Sequence, residues 1–360
     1  MSKKNIVLYL VIIFVYIGIT GCLEKSPNIE EKSPNRIVSE KFITQINFSS
    51  WISGSFKVSP DGRHVAYVDD VAKGLGHKLL VVVDGKEGKQ YYDINDIIFS
   101  PDSQHVAYIA DVTKGLGHKL LVVVDGKEGK EYDEIDKLIF SPDSQHVAYT
   151  AKQSIPWTWW FIVVDGKEGK QYYDINNLIF SPDNQRVAYI AMSNAPQKSF
   201  VVVDGEEGRQ YDIVNNLIFS PDSQHVSFVA GSDYKQFMVV DGEEGRQYDI
   251  VNDLIYSPDS QHVAYRAYKG NNSFVVVDGK EGEQYDDVDN LIFSPDSKHV
   301  AYRAKLGNKW FVVVDGKEEG KKYDNIVGLG GGRFNFYSPD SLHYLALKGS
   351  SIYLVEERLK

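Results

Sequence analysis

The side chains best suited to chemistry are aspartates and histidines that recur at a fixed spacing. Each of eight Ser-Pro-Asp copies carries one aspartate, from Asp61 to Asp340, and a histidine follows three residues later in all but one copy. Carboxylate and imidazole groups serve as general acids and bases or as metal ligands. Proline precedes every one of these aspartates, however, and Pro followed by Asp is typical of a turn in which the carboxylate bonds to nearby backbone. We therefore interpret the aspartates as turn residues and predict no catalytic group.

The histidines occupy one position of a repeating unit rather than one site. They are His64, His105, His146, His225, His262, His299 and His343, and Arg186 holds the same position in the remaining copy. Ligands of one metal ion lie about 2 Å from it, too close for side chains on separate units. The spacing therefore predicts no metal site and no cofactor. A further hypothesis is that the histidines gain charge together as the pH falls through about 6.5 and alter surface association.

Three of the five tryptophans lie in one short segment at Trp157, Trp159 and Trp160. Alternation along a strand places Trp159 and Trp160 on opposite faces, so at least one is expected near a solvent-exposed rim. Packing inside the fold is one interpretation. The other is ligand binding, in which exposed aromatic rings stack on a sugar or anchor a protein partner.

Acidic and amide residues form a second recurring feature, at 93–96, 133–136 and 286–289. We interpret them as solvated connections between units, with a cation site or a basic partner as the alternative. None of the three stretches has the alternating carboxylates and final glutamate of a calcium loop. No metal is predicted there.

The elements that carry these residues are strands of a repeat. Successive Ser-Pro-Asp prolines lie 37 to 44 residues apart, and seven Val-Asp-Gly motifs alternate with them. Short runs rich in Val, Ile, Phe and Tyr, broken by Gly, Pro, Asn and Asp, predict four antiparallel strands per unit. We therefore predict an all-β fold, a β-propeller of eight four-stranded blades, with seven blades as the fallback and a linear solenoid as the alternative.

The last unit shows only three strands, predicted at 334–337, 344–347 and 352–355. An alternating segment upstream of the first Ser-Pro-Asp, Lys41–Phe48, would supply the missing outer strand. This arrangement would close the ring of blades with an N-terminal strand.

The N-terminus has the features of an export signal. A basic start and an apolar run, Ile6–Ile19, precede Ile-Thr-Gly and the only cysteine, Cys22. This order resembles the lipobox of prokaryotic lipoproteins, which implies cleavage after residue 21, lipidation of Cys22 and attachment to the outer side of the cell membrane or in the envelope. An uncleaved anchor helix is the alternative. We expect a signal peptide at 1–21, a disordered tether at 22–40 and one propeller domain at 41–360.

Composition limits the classes of partner. The formal net charge is -11 and no basic stretch is interleaved with aromatics, which argues against nucleic acid. A single cysteine excludes an intrachain disulfide and a multi-cysteine metal site.

The repeated Phe-Ser-Pro-Asp-Ser-x-x-Val-Ala-Tyr resembles the WD-like propeller repeat of TolB and of the N-terminal propellers of dipeptidyl peptidases. The resemblance covers about 41–360 and implies the fold; that family hosts several functions. No Gly-x-Ser-x-Gly nucleophile motif occurs in the chain. We expect a non-enzymatic, lipid-anchored scaffold that binds a protein partner. The alternatives are an envelope polysaccharide binder that uses loop aromatics and, as a third, a propeller hydrolase or lyase.

Overall fold

The computed structural model describes residues 32–33, 36–37, 41–72, 78–113, 117–154, 158–318, 321–327 and 335–359. Every regular element in these ranges is a β-strand, and among them there is no helix long and apolar enough to cross a membrane. The chain divides into two compact units, Met1–Gln45 and Ile46–Lys360. In the first unit, β1 (Lys32–Ser33) and β2 (Arg36–Ile37) pair antiparallel.

The second unit contains eight antiparallel sheets, which we call blades 1 to 8. Blade 1 contains β3 (Lys57–Val58), β4 (Val65–Asp70), β5 (Leu79–Val83) and β6 (Lys86–Tyr91), and blade 2 contains β7 (Asp93–Phe99), β8 (Val106–Asp111), β9 (Leu120–Val124) and β10 (Lys127–Glu128). Blade 3 contains β11 (Glu134–Phe140), β12 (Val147–Gln153), β13 (Trp159–Val164) and β14 (Lys167–Glu168), and blade 4 contains β15 (Asp174–Phe180), β16 (Val187–Met192), β17 (Ser199–Val203) and β18 (Glu206–Glu207).

Blades 5 to 8 follow the same order along the chain. Blade 5 contains β19 (Ile213–Phe219), β20 (Val226–Ser232), β21 (Lys235–Val240) and β22 (Glu243–Glu244), and blade 6 contains β23 (Ile250–Tyr256), β24 (Val263–Lys269), β25 (Asn272–Val277) and β26 (Lys280–Glu281). Blade 7 contains β27 (Asp287–Phe293), β28 (Val300–Leu306), β29 (Lys309–Val314) and β30 (Lys317–Glu318), and blade 8 contains β31 (Asn325–Val327), β32 (Asn335–Ser338), β33 (Ser341–Lys348) and β34 (Ser351–Arg358).

Two tight turns shape each regular blade, as blade 3 shows. The Ser144 N–H donates to the Ser141 carbonyl oxygen at 2.9 Å and closes the Ser-Pro-Asp turn between the first two strands. Asp165 and Gly166 adopt φ of 50° and 78°, the left-handed pair that a two-residue hairpin requires. The fourth strand therefore starts at Lys167, directly after the turn. Beyond β14 the same edge continues to Tyr172, which pairs with Trp160 of the third strand.

The first strand of a blade is longer than the sequence suggested. In blade 3, β11 includes Glu134 and Asp136, which we had interpreted as part of a solvated connection. A β-bulge interrupts its pairing between Asp136 and Ile139, and Lys137 in the bulge has φ of 54°. The bulge lets two polar residues face solvent while Ile135 and Leu138 stay buried on either side.

Each junction between consecutive blades buries an apolar cluster. At the junction of blades 2 and 3, the Tyr132 ring lies edge-on to Tyr149 and Phe161, with centroids 6.1 and 5.6 Å apart. Phe161 is 1% exposed, so its burial contributes about 1.5–3 kcal/mol and Phe161→Ala would cost about 3–5 kcal/mol. Because comparable clusters join every pair from blades 1 and 2 to blades 7 and 8, the apolar core follows the chain from blade to blade.

The eight sheets confirm the predicted fold class, an all-β propeller with eight blades. Blade 8 has three strand positions, since β31 and β32 pair with the same edge of β33 and β34 pairs with the other edge. The described residues of Lys41–Phe48 form no strand. Closure of the ring by that segment stays a prediction.

Candidate functional site

Antiparallel pairing gives each blade two ends that carry different residues. One end, here the turn end, carries the Ser-Pro-Asp turn and the Asp-Gly turn, as at 141–145 and 165–166 in blade 3. The other, here the loop end, carries the loop between the second and third strands and the connection to the next blade. Repeated residues dominate the turn end. The loops at the loop end have the same sequence in blades 1 and 2, at 73–78 and 114–119, and differ among blades 3 to 8.

At the turn end, the recurring aspartate stabilises its own turn. In blade 3 the buried Ser141 hydroxyl donates to Asp143 Oδ1 at 2.5 Å, and the Gln145 N–H donates to the same oxygen at 3.0 Å. The hydrogen bond from Ser141 holds the pKa of Asp143 below its usual value. The carboxylate is therefore part of the turn, as its preceding proline indicated.

The same turns also join neighbouring blades, a role that the sequence did not reveal. The Asp102 N–H of blade 2 donates to Ser144 Oγ of blade 3 at 3.0 Å. Equivalent links connect each pair from blade 1 to blade 7, namely Asp61 to Ser103, Asp102 to Ser144, Asp143 to Asn184, Asp183 to Ser223, Asp222 to Ser260 and Asp259 to Ser297. The acceptor residue has a positive φ in every case, 67° for Ser144, which aims its short side chain at the preceding blade.

The histidines pair with the aspartates of the Val-Asp-Gly motif. His146 Nδ1 lies 2.7 Å from Asp165 Oδ2, while Asp165 Oδ1 accepts the Val147 N–H at 3.0 Å. Because a carboxylate only accepts, the imidazole donates to it from Nδ1. The pairs are His64 with Asp84, His105 with Asp125, His146 with Asp165, His225 with Asp241, His262 with Asp278 and His299 with Asp315. Each pair fastens the start of a second strand to the turn after the third.

Glutamates after the Asp-Gly turns hold the preceding blade. Tyr132 OH of blade 2 donates to Glu168 Oε1 of blade 3 at 3.0 Å, and Lys130 Nζ binds the same oxygen at 2.6 Å. The Lys130 contact lowers the pKa of Glu168, and burial raises the pKa of Tyr132. The same tyrosine-to-glutamate bond occurs from Tyr91 to Glu128, from Tyr172 to Glu207 and from Tyr248 to Glu281. At these four junctions the tyrosine and the glutamate are thus engaged between blades, whereas the equivalent buried hydroxyls of Tyr211 and Tyr285 have no hydrogen-bond partner among the described residues.

At the loop end, several connecting aspartates pair with the chain's own cations. Lys119 Nζ lies 2.6 Å from Asp133 Oδ1, and the Ser154 N–H donates to the other oxygen at 2.8 Å. The Lys119 ammonium holds the pKa of Asp133 below its usual value, and Lys235 does the same for Asp249. Among the described residues, no group of three or more His, Cys, Asp or Glu is arranged to hold a metal ion.

The tryptophan segment lies at the loop end of blade 3. Trp157 and the lipidation candidate Cys22 lie outside the described residues. Trp159 and Trp160 begin β13 and are both half-buried. Trp160 packs against the cluster shared with blade 4, and Lys152 Nζ lies 5.5 Å from its ring centroid. The structure therefore brings Trp159 and Trp160 to the loop end, with Trp160 committed in part to packing.

Two arginines form contacts that sequence reasoning missed. Arg266 of blade 6 donates to the Val288 carbonyl oxygen of blade 7 at 2.6 Å, and Arg303 of blade 7 donates to the Ile326 carbonyl oxygen of blade 8. Arg303 also binds Asp289 through Nε at 2.5 Å. The sequence contained a signal for these contacts, because arginine replaces the apolar residue that the second strand carries in blades 1 and 2, at Val68 and Ile109. The contacts point to a structural role between blades.

Comparison with known proteins gives matches in structure only. No family model and no curated protein sequence matches the chain. Solved structures that resemble it include a eukaryotic initiation factor, with 13% identity, 90% of this chain and 92% of that chain covered, and a TM-score of 0.48. The β-propeller domain of the Trilobed protease from Pyrococcus furiosus has 13% identity, covers 86% and 98%, and has a TM-score of 0.36. TolB from Acinetobacter baumannii has 18% identity, covers 61% and 62%, and has a TM-score of 0.29.

Proposed function

We propose that this chain is a non-catalytic β-propeller scaffold that binds a protein partner outside the cytoplasm, held to the membrane by lipid on Cys22. One observation carries the proposal: most of the repeated polar side chains at the turn end bind each other or the next blade, whereas the loops at the loop end of blades 3 to 5 depart from the repeat. Residues that differ between otherwise equal units are free to meet a partner.

The aromatic side chains at this end supply the contact. Trp159 is half-buried next to the variable loop of blade 3, and Tyr234 is fully exposed at the corresponding turn of blade 5. Large aromatic residues dominate the energetics of protein interfaces, since they bury much area at a low entropic cost. The net charge of -11 favours a partner with a basic contact face.

The aspartates and histidines at the turn end already form hydrogen bonds with each other or with nearby backbone, which argues against a catalytic role for them. Each described His-Asp pair serves as a backbone cap as well, because the second carboxylate oxygen accepts a strand N–H, as Asp165 does for Val147. The alternative, a hydrolase or lyase with rim carboxylates, would require groups such as Asp133 to leave the lysine that now pairs with it.

Cross-linking in cells tests the scaffold. The full-length chain and its Trp157→Ala/Trp159→Ala variant are cross-linked and purified, and the captured proteins are identified by mass spectrometry. We expect a partner captured by the wild type and lost from the variant at an unchanged melting temperature. Trp310→Ala controls for the loss of a tryptophan on another blade, since Trp310 lies on the third strand of blade 7, next to the residue that aligns with Trp159. Equal capture by wild type and double variant would contradict the proposal.

The lipid anchor is tested separately. Metabolic labelling with an alkynyl fatty acid should tag the wild-type chain, and Cys22→Ala should lose both the tag and membrane association. Cys22 is the only cysteine, so no second thiol contributes to the signal. A Cys22→Ala chain that stays membrane-bound through an uncleaved N-terminus would favour an anchor helix instead.

A further inference from the structure

A cavity of about 590 Å³ opens between blades 4 and 5 at the loop end. Its polar lining includes the side-chain amides of Asn177, Gln197 and Asn215, and its apolar lining includes Met192 and Ile213. Ligand pockets in proteins have volumes of about 300–1,000 Å³ and combine apolar walls with a few polar groups. The size and composition of this cavity therefore suit a small ligand or a segment of a chain molecule.

Three of the polar side chains that line this cavity are neutral amides without a hydrogen bond to any described residue, whereas a fourth amide, Asn176, donates to Asp174 Oδ2 at 3.2 Å. Within the described residues, Asn177, Gln197 and Asn215 make no side-chain hydrogen bond, and Asn215 is exposed. The one carboxylate in the lining, Asp212, is occupied by Lys198 Nζ and by the Asp233 N–H at 3.2 Å. What remains is a set of amides, each able to donate and accept hydrogen bonds.

Blades 4 and 5 differ from the other neighbouring blades in the charge of the residues at the bulge of the first strand. Their first strands carry uncharged pairs at the bulge, Asn176–Asn177 and Asn215–Asn216, whereas blades 2, 3, 6 and 7 carry at least one charge there. Those charged pairs are Asn95–Asp96, Asp136–Lys137, Asn252–Asp253 and Asp289–Asn290. The larger cavity of about 640 Å³ between blades 1 and 2 is lined by Lys89 and Glu128, which bind each other.

Tyr234 provides a second, independent observation beside the cavity. Tyr234 and Asp233 form the turn between β20 and β21, and the Asp233 N–H donates a hydrogen bond to Asp212 Oδ2 in the cavity lining. Asp233 and Tyr234 have φ of 52° and 63°, and Tyr234 is fully exposed. At the equivalent turns of blades 6 to 8, Gly270, Gly307 and Gly349 take the position of Asp233, and the residue at the position of Tyr234 has no positive φ. A large side chain in this backbone conformation is strained, and no burial of the ring offsets the strain.

We propose that the cavity between blades 4 and 5 binds a neutral oligosaccharide. The amides of Asn177, Gln197 and Asn215 hydrogen-bond to sugar hydroxyls, which also donate and accept. Met192 and Ile213 contact the C–H face of a ring. Tyr234 stacks on a further sugar unit that leaves the cavity over its rim.

A neutral sugar chain fits these groups better than a charged glycan. A charged ligand would leave its charge opposite uncharged amides, since Asp212 is already paired with Lys198. The amides stand on β15, β19 and the loop before β17. Among the described strands, β15 and β19 are each the first strand of a sheet and pair on one side only, so a peptide that adds to a sheet edge is the competing ligand that the test must distinguish. This site does not depend on the protein partner proposed above.

The test is a direct binding measurement on the full-length chain. A glycan array with neutral and acidic oligosaccharides selects a probe, and calorimetry with that probe gives its affinity. We expect a neutral glycan to bind, and Gln197→Ala/Asn215→Ala to weaken it by about tenfold or more, because two hydrogen bonds are lost. Asn95→Ala is the matched control, since Asn95 holds in blade 2 the position of Asn215 in blade 5; we expect a change below about twofold.

Tyr234→Gly separates binding from folding. It creates an Asp-Gly turn, the favoured sequence for this geometry, so we expect a melting temperature equal to or about 2 °C above that of the wild type. Affinity for the neutral glycan should fall by about fivefold or more as the stacking surface disappears. Loss of glycan affinity in a more stable protein would support the site.

Three outcomes would overturn the proposal. The first is no neutral glycan that binds the wild type more tightly than Gln197→Ala/Asn215→Ala. The second is stronger binding of acidic than of neutral glycans. The third is binding of an unfolded polypeptide, reduced and carboxymethylated lactalbumin, that depends on the same two residues. Loss of the cross-linked partner in Trp157→Ala/Trp159→Ala bears only on the scaffold proposal, so the two failures are distinguishable.

Discussion

The links between Ser-Pro-Asp turns lead to a measurable prediction for Ser144→Ala. Ser144 is 4% exposed and its Oγ accepts the Asp102 N–H of the preceding blade at 3.0 Å. Alanine removes this acceptor and keeps the backbone bond from the Ser144 N–H to the Ser141 carbonyl oxygen. Both serine and alanine have a Cβ and meet similar strain at φ of 67°. The change therefore isolates the link between blades 2 and 3.

The expected loss in the free energy of unfolding depends on whether water can reach the donor, the Asp102 N–H. A fully buried donor left without a partner costs about 1–3 kcal/mol, whereas a bond whose donor reaches water contributes about 0.5–1.5 kcal/mol net. Asp102 is exposed, so water replaces Ser144 as its acceptor. We expect Ser144→Ala to lower the free energy of unfolding by about 1 kcal/mol.

The chain contains its own control for this variant. Asn184 of blade 4 accepts the Asp143 N–H through Oδ1 at 2.9 Å, the same link made by a different side chain. Asparagine also tolerates a positive φ well. Ser144→Asn should therefore keep the stability of the wild type within about 0.5 kcal/mol.

Urea unfolding and amide hydrogen exchange measure the effect. Urea curves compare the three proteins, and exchange of the Asp102 amide reports the local link even if the eight blades do not unfold as one unit. A second variant, Ser260→Ala, breaks the distant link to Asp222, and the two losses should add because the sites share no partner. Equal stability and equal Asp102 exchange in Ser144→Ala and Ser144→Asn would refute the reasoning.

Two further predictions concern the other repeated groups. Glu168→Ala should lower the free energy of unfolding by about 1 kcal/mol, because the buried Tyr132 hydroxyl loses its acceptor. Lys130→Ala should lower it by less than about 0.5 kcal/mol, since the exposed ion pair between Lys130 and Glu168 contributes little. Urea unfolding of both variants measures the difference. The pKa of Asp143 is lowered in the folded state by Ser141, so its contribution to stability is present above the usual aspartate pKa and is lost as the pH falls through the lowered value. In Ser141→Ala, an NMR titration should show the pKa of Asp143 closer to its usual value; an unchanged pKa would contradict this cause.

Local sequence patterns predicted most of the blade. The eight Ser-Pro-Asp copies predicted the first hairpin of each blade, because proline and aspartate restrict the backbone within four residues. The spacing of these eight copies also predicted the number of units, and the apolar runs of the last unit predicted the three strand positions of blade 8. Local patterns predicted strand bounds less well. The fourth strand begins at Lys167 and the first at Glu134, because turn geometry and pairing with the neighbouring strand set these limits.

The sequence by itself thus determined the strand pattern, the turn chemistry and the number of blades, since each depends on residues close together in the chain. Only the tertiary structure decided what the repeated side chains contact. Asp102 and Ser144 are separated by 42 residues, and their bond exists because packing of apolar faces brings two blades into register. The cavity between blades 4 and 5 arises in the same way. Asn177 and Asn215 belong to different sheets, and neither residue alone marks a site; their shared cavity depends on how one blade packs against the next.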